Sequence, residues 1–272
     1  FKQKTAYEIM PSLVGSEMCI RDRYNIGRSY YKLRSYDQAI EAFGKVDPKS
    51  EYGPISRYFI GWCLYDPNNP RRDLKKAISA FQEVVGRYPK SDEAARSLLA
   101  IGRCYEEMGE LDKAVRMYST LVERYPKSPH IEAALLAMGI ALHKQGKNAE
   151  AVSVFDKILN DKKGRYSNDT KISALLNKAE SLYDLGRYAQ AAETYLKMAL
   201  VYDQIDPDNA LVALVRAGSC YEKLQRWEDA KTWYRRAVQQ YSGKKRSSWD
   251  KTLKYARDRL QALENLSSTS PR

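Results

Sequence analysis

From Tyr24 onward, apolar residues recur at helical spacing in short runs separated by turn residues. Glu93 to Met108 carries Ala94, Ala95, Leu98, Ile101, Gly102 and Tyr105 on one face, which predicts an amphipathic helix. Gly109 then predicts a left-handed stop, and Gly146 and Gly186 hold the matching places further on. A second helix is predicted from Leu111 to Arg124, with Ala114, Tyr118, Leu121 and Val122 on one face. It ends at Tyr125-Pro126, because proline has no amide hydrogen to donate. Ser128 reads as the N-cap of the next helix, with Pro129 in its first turn. Tyr88-Pro89-Lys90-Ser91 has the same form one unit earlier.

This helix pair recurs six times. Small residues fall at Gly27, Gly61, Gly102, Gly139, Ala179 and Gly218, spaced 34, 41, 37, 40 and 39 residues apart. Three residues after each comes Tyr30, Leu64, Tyr105, Leu142, Leu182 or Tyr221. Alanines follow at Ala39, Ala77, Ala114, Ala151, Ala191 and Ala230, each with Phe43, Phe81, Tyr118, Phe155, Tyr195 or Tyr234 four residues later. The steric reading is that the small residue lets the two helices of a pair approach, while the aromatics fill the wedge between one pair and the next. One pair cannot bury its apolar face alone, so stacking builds the core. Repeat two carries an insertion around Asp66-Pro67-Asn68-Asn69-Pro70, and repeat four a longer exit through residues 162–167.

The pattern over Tyr24 to Tyr241 resembles the tetratricopeptide repeat (TPR) family. The resemblance implies an all-α, right-handed solenoid of about six helix pairs, with a concave face lined by the first helix of each pair. It places partner-binding residues three before, one after and four after each small residue. In the first three repeats these are Tyr24, Arg28 and Tyr31; Tyr58, Trp62 and Tyr65; and Leu99, Arg103 and Glu106. Aromatics and arginines dominate, as in binding hot spots. The position after the small residue is never Asn, which argues against the carboxylate clamp some relatives use on chaperone tails. The recurring Arg-Tyr-Pro-Lys-Ser ending and long spacing are most similar to bacterial envelope TPR proteins, such as outer-membrane assembly lipoproteins and Tol–Pal coordinators.

Beyond the repeats, Trp249, Leu253, Ala256, Leu260 and Leu263 mark one stripe of a terminal helix with Ser248 as its cap. The expected divisions are a solenoid over 24–241, a basic capping helix over 242–266 and a disordered tail over 267–272. Residues 1–23 stand outside the pattern. Pro11 to Arg23, PSLVGSEMCIRDR, resembles the conceptual translation of a sequencing-adaptor contaminant, so this segment is set aside as non-native. On that reading Cys19 is not a natural cysteine, and the true start, with any signal peptide or lipid anchor, lies upstream.

Composition narrows the function classes. The 272 residues are 43% hydrophobic and 29% charged, which suits a folded chain. The longest apolar run, Ala133 to Leu142, is half of what a membrane helix needs. Tyrosine is abundant at 21 copies against five Phe, an aromatic excess suited to half-buried positions. The net charge is +12, and Arg235 to Arg272 holds ten Lys/Arg against three Asp/Glu. That end supports an alternative function, polyanion binding through Lys244, Lys245, Arg246, Lys251, Lys254 and Arg257, although no base-reading motif accompanies it.

Catalytic chemistry finds no support. No nucleophile elbow, phosphate loop, zinc-protease or dinucleotide motif occurs, and His130 and His143 lack partners at ligand spacing. Cys63, Cys104 and Cys220 each lie two residues after a small residue, where other repeats have Ser29, Ala141 and Ser181, so they read as small packing residues. No cofactor or metal is implied. The expectation is a non-enzymatic scaffold holding a protein or peptide in its concave face, in the periplasm or cell envelope or, alternatively, in the cytoplasm.

Overall fold

The computed structural model describes residues 17–161, 163–243 and 246–269, and among these the chain forms thirteen α-helices and no strand. In order they are α1 (Glu17–Lys32), α2 (Tyr36–Gly44), α3 (Gly53–Tyr65), α4 (Leu74–Arg87), α5 (Asp92–Glu107), α6 (Leu111–Arg124) and α7 (Ile131–Lys144). There follow α8 (Asn148–Leu159), α9 (Asn168–Asp184), α10 (Tyr188–Tyr202), α11 (Pro207–Lys223), α12 (Trp227–Tyr241) and α13 (Asp250–Thr269). The chain divides into two units, residues 1–134 and 135–272. Within each, consecutive helices pack as antiparallel pairs, the all-α repeat architecture that the six-fold pattern predicts.

The small residue has a more specific role than close approach. A Cβ placed on Gly61 would lie 2.5 Å from the ring of Phe81, and one on Gly139 would lie 2.5 Å from Phe155. Gly27 faces Phe43, Gly102 faces Tyr118 and Gly218 faces Tyr234 in the same way. Each of these five rings is therefore seated on the glycine of its own pair. The same rings also reach the next pair, as expected of residues that fill the wedge: Phe43 stacks on Phe59 of α3, and Phe81 packs with Ile101 and Cys104 of α5, while glycine provides the flat seat on the other side. All six rings are essentially fully buried, as are the alanines four residues before them.

Turn chemistry follows the pattern closely. Gly109, Gly146 and Gly186 adopt φ of 74°, 74° and 71°, the left-handed conformation of a helix stop. In repeats one and six the equivalent residues, Arg34 (φ 59°) and Gln225 (φ 58°), take that conformation without glycine's freedom. Gln225→Gly is expected to raise stability by about 1 kcal/mol, since the left-handed penalty on an L side chain is roughly 1–2 kcal/mol. A chemical denaturation midpoint unchanged or lowered would contradict this.

Several boundaries differ from the sequence reading. Ser91 caps α5 by accepting from the Ala94 amide at 3.2 Å, as expected. Ser128 instead accepts from the His130 amide two residues on, making a turn before α7. Ser248 does not cap the terminal helix: it sits in a 3₁₀ turn, Ser247–Trp249, and faces Asp208. The first described helix is Glu17–Lys32, so residues 17–23 of the segment set aside are helical, and Ile20 is buried. At the other end α13 continues to Thr269, past the expected limit at 266, and residues 270–272 of the expected tail lie outside the described residues.

Tyrosines tie the first unit together at its joints. The Tyr88 hydroxyl donates to the Pro48 carbonyl at 2.8 Å, and Tyr125 donates to the Pro89 carbonyl at 2.8 Å. The insertion of repeat two is an ordered turn: buried Asn69 donates to the Cys63 carbonyl at 2.7 Å and accepts from the Arg71 amide at 2.8 Å. These contacts satisfy groups at the end of α3 that a glycine stop satisfies elsewhere.

Candidate functional site

In the first unit, α1, α3 and α5 are the first helices of three repeats, and every candidate residue lies on them. Tyr58, Trp62 and Tyr65 are three and four apart on α3, so they share one face. Trp62 meets Tyr65 edge-on at 5.0 Å between centroids, and meets Tyr58 at 6.1 Å. Phe81 backs Tyr58 and Trp62 at 5.6 and 6.2 Å. All three are half-buried, so each ring keeps an open side.

Tyr24 and Tyr31 on α1 join this wall through Phe59, a residue the spacing rule does not pick out. Phe59 lies 6.3 Å from Tyr24, 5.7 Å from Tyr31, 6.2 Å from Tyr58, and stacks on Phe43 at 5.2 Å. Tyr24 also meets Tyr52 at 5.1 Å. The only sequence signal for Phe59 is its aromatic character two residues before Gly61, off the repeat register.

The charged residues divide into engaged carboxylates and open arginines. Tyr31 donates to Asp66 at 3.1 Å, Tyr65 to Glu107 at 2.5 Å, and Tyr118 to Glu106 at 2.6 Å. Arg72 adds a salt bridge to Glu107 and lies over the Tyr65 ring at 5.1 Å. Glu106, expected to face a partner, is thus held by a buried tyrosine. Burial and then Glu107 push the Tyr65 hydroxyl up to about 12. Arg28 is exposed and lies over Tyr24 at 5.7 Å, while Arg103 is exposed and its charge reaches Tyr58 and Tyr65. Neither arginine has a carboxylate partner among the described residues. Leu99 is corrected: it is buried and cannot line an open face.

These carboxylates carry a pH signature. Burial alone would raise Glu107, but hydrogen bonds from Tyr65 and Arg72 outweigh it and hold the carboxyl below its ordinary value. A depressed folded-state pKa gives stability that is present above the unfolded value, about 4.3, and lost as pH falls through the folded one. Glu107→Gln is therefore expected to flatten the loss of stability below about pH 4.3 while costing stability at pH 7. Parallel denaturant titrations at pH 3 and 7 check this, and equal pH dependence in the two proteins would refute it.

The other candidates of the sequence are occupied by packing. Cys63, Cys104 and Cys220 are buried with free thiols, each pushed up to about 12 by burial. His130 accepts from Arg96 at 3.2 Å, and His143 meets Asn148 at 2.8 Å. In the second unit, Arg246 pairs with Asp208, Arg257 donates to Ser242 and Arg259 pairs with Glu222, which leaves exposed Lys251 and Lys254 of the basic end. Lys244 and Lys245 lie outside the described residues. Among the described residues no helix is long and apolar enough to cross a membrane.

Tetratricopeptide repeat models match residues 23–50, 71–139, 133–161 and 170–243, which together span most of the chain. The chain belongs to the tetratricopeptide repeat family. Among solved structures, this TPR chain is similar to the C-terminal part of a TPR repeat-containing protein from Cytophaga hutchinsonii. The two share 13% identity and a TM-score of 0.67, over 90% of this chain and 89% of that one. YrrB, a TPR protein described as having an unusual peptide-binding site, matches at 15% identity and a TM-score of 0.57, over 80% and 99%. MamA matches at 17% identity and 0.54, over 69% and 93%. No curated protein matches the sequence. At these identities the likeness is one of fold.

Proposed function

We propose that this TPR chain is a non-enzymatic scaffold that holds a protein or peptide partner on the α1–α3–α5 face of its first unit. The observation that carries the reading is an open aromatic wall, Tyr58 and Trp62, bordered by two exposed arginines with no carboxylate partner among the described residues. Such rings bury large apolar area on contact, and arginine bonds carboxylates or carbonyls in a fixed fork. Tyr24, Tyr31, Tyr65 and Glu106 back the wall through the ring contacts and hydroxyl–carboxylate bonds described above. YrrB's peptide site is an analogy in support of a peptide partner.

Trp62→Ala combined with Arg103→Ala is expected to abolish partner capture, since two hot-spot losses of about 2 kcal/mol each amount to roughly a thousandfold in affinity. Pull-down with the wild-type and doubly substituted chains, both shown to be folded by circular dichroism, checks this. Undiminished capture by the double variant sinks the assignment. The scaffold's proposed setting is the bacterial cell envelope, in the periplasm, supported by the recurring Arg-Tyr-Pro-Lys-Ser joint and the long repeat spacing. Fractionation of cells expressing the complete gene tests that setting, and recovery with cytoplasmic markers would overturn it.

A further inference from the structure

The residue before each small residue is Ile26, Ile60, Ile101, Met138, Lys178 or Ala217, so one repeat places a lysine where the others place an apolar side chain. Ile101, Met138 and Ala217 are buried there. Lys178, on α9, reaches Asp156 on α8 at 2.6 Å, with the two side chains 21% and 37% exposed. A half-buried ion pair at a packing position gives little net stability compared with a hydrophobe of similar volume. The pair sets this seam apart from those where the position is buried and apolar.

The same seam opens into a cleft of about 430 Å³ within the second unit, between α8, α9 and α10. Such a volume falls in the range of small-molecule sites, about 300–1,000 Å³. Val152 and Leu159 supply apolar lining over a floor of buried Leu175 and Leu182, and Asn160, Gln190 and Thr194 supply polar groups. Three cations (Lys178, Arg187 and Lys197) face two carboxylates (Asp156 and Glu193), an excess of one positive charge. Among the described residues neither Arg187 nor Lys197 has an ion-pair partner. They lie ten residues apart, about 15 Å along the helix, so they mark separated parts of the cleft.

We propose that this cleft binds a small organic anion, with a carboxylate or phosphate head met by its cations and a body resting on its apolar lining. The site is separate from the aromatic wall of the first unit and does not rest on that assignment. A lysine at the seam makes the cleft polar, and the unpaired cations supply the attraction that an anion answers.

The test uses the full chain with inorganic phosphate and citrate as probes, each titrated at constant ionic strength against sodium chloride. Thermal unfolding and calorimetry supply the readouts. The expected result is a rise of at least about 2 °C in midpoint at saturating probe, by mass action on the folded state. Phosphate acting without citrate, or the reverse, identifies the head group and supports the site. Lys178→Met, which restores the residue type of Met138, should fold with a lowered midpoint in chloride, since Asp156 loses its partner, and should weaken the probe at least tenfold. Lys197→Met should weaken it similarly. A response to neither probe beyond that to chloride overturns the proposal, and so does a response that both variants retain in full.

Discussion

Gly102→Ala is expected to destabilise the chain by about 3 kcal/mol, at the upper end of overpacking costs. The added Cβ would fall 2.6 Å from Tyr118 Cζ and closer still to Cε1, far inside van der Waals contact. Tyr118 cannot swing away cheaply: its ring is fully buried and its hydroxyl is bonded to Glu106 at 2.6 Å. Moving the ring breaks that bond and disturbs the packing around it. Repeat five provides the control, because Ala179 already stands at this position opposite Tyr195. Ala179→Gly should cost about 1 kcal/mol, the ordinary helix penalty of glycine. Guanidinium denaturation of both variants decides the matter: equal costs at the two positions would show that the small residue is not a seat for the ring.

Glu222→Ala is expected to cost about 3 kcal/mol and to loosen the terminal helix in particular. Glu222 accepts from the Tyr234 hydroxyl at 2.6 Å and pairs with Arg259 of α13 through both carboxylate oxygens. Alanine leaves Arg259 without its carboxylate and Tyr234 with only Ser219, 3.0 Å away. Arg259 then has no charge partner where α13 meets the last repeat. Hydrogen exchange locates the effect: amides of 250–269 should lose protection at least tenfold, while those of α3 to α5 change little. A uniform loss over both units would mean that the residue acts on global stability alone. Pairing this variant with Arg259→Ala in a double-mutant cycle separates the ion pair from the tyrosine bond.

How much of this was legible in the sequence depends on whether the interaction is periodic. The pairs and the register of Gly102 with Tyr118 recur six times and the glycine stops three times, so spacing alone exposes them. Phe59 acts once on α3, and Arg72 and Asn69 act once beside the insertion of repeat two, and no repeat comparison can reveal a single event. The ring-on-glycine contact was not read, because periodicity gives the residue types that coincide but not which of them touch. Glu106 illustrates the opposite error. The spacing rule places it on the open face, yet the hydroxyl of Tyr118, twelve residues on, lies near enough to hold it.

The tyrosine bonds at the joints have a consequence for how repeats of unequal length can follow one another. Tyr88 reaches Pro48 across 40 residues and Tyr125 reaches Pro89 across 36, yet both bonds measure 2.8 Å. The acceptor is a main-chain oxygen, which every residue type offers, so the tie does not depend on the side chain at the joint. Each bond acts as a gauge between neighbouring joints: extra residues, such as those of Asp66 to Pro70, are displaced sideways into a turn and the pitch is kept. Length variation in the gene is thereby uncoupled from spacing in the protein, and a repeat can gain a loop without shifting the helices that follow it.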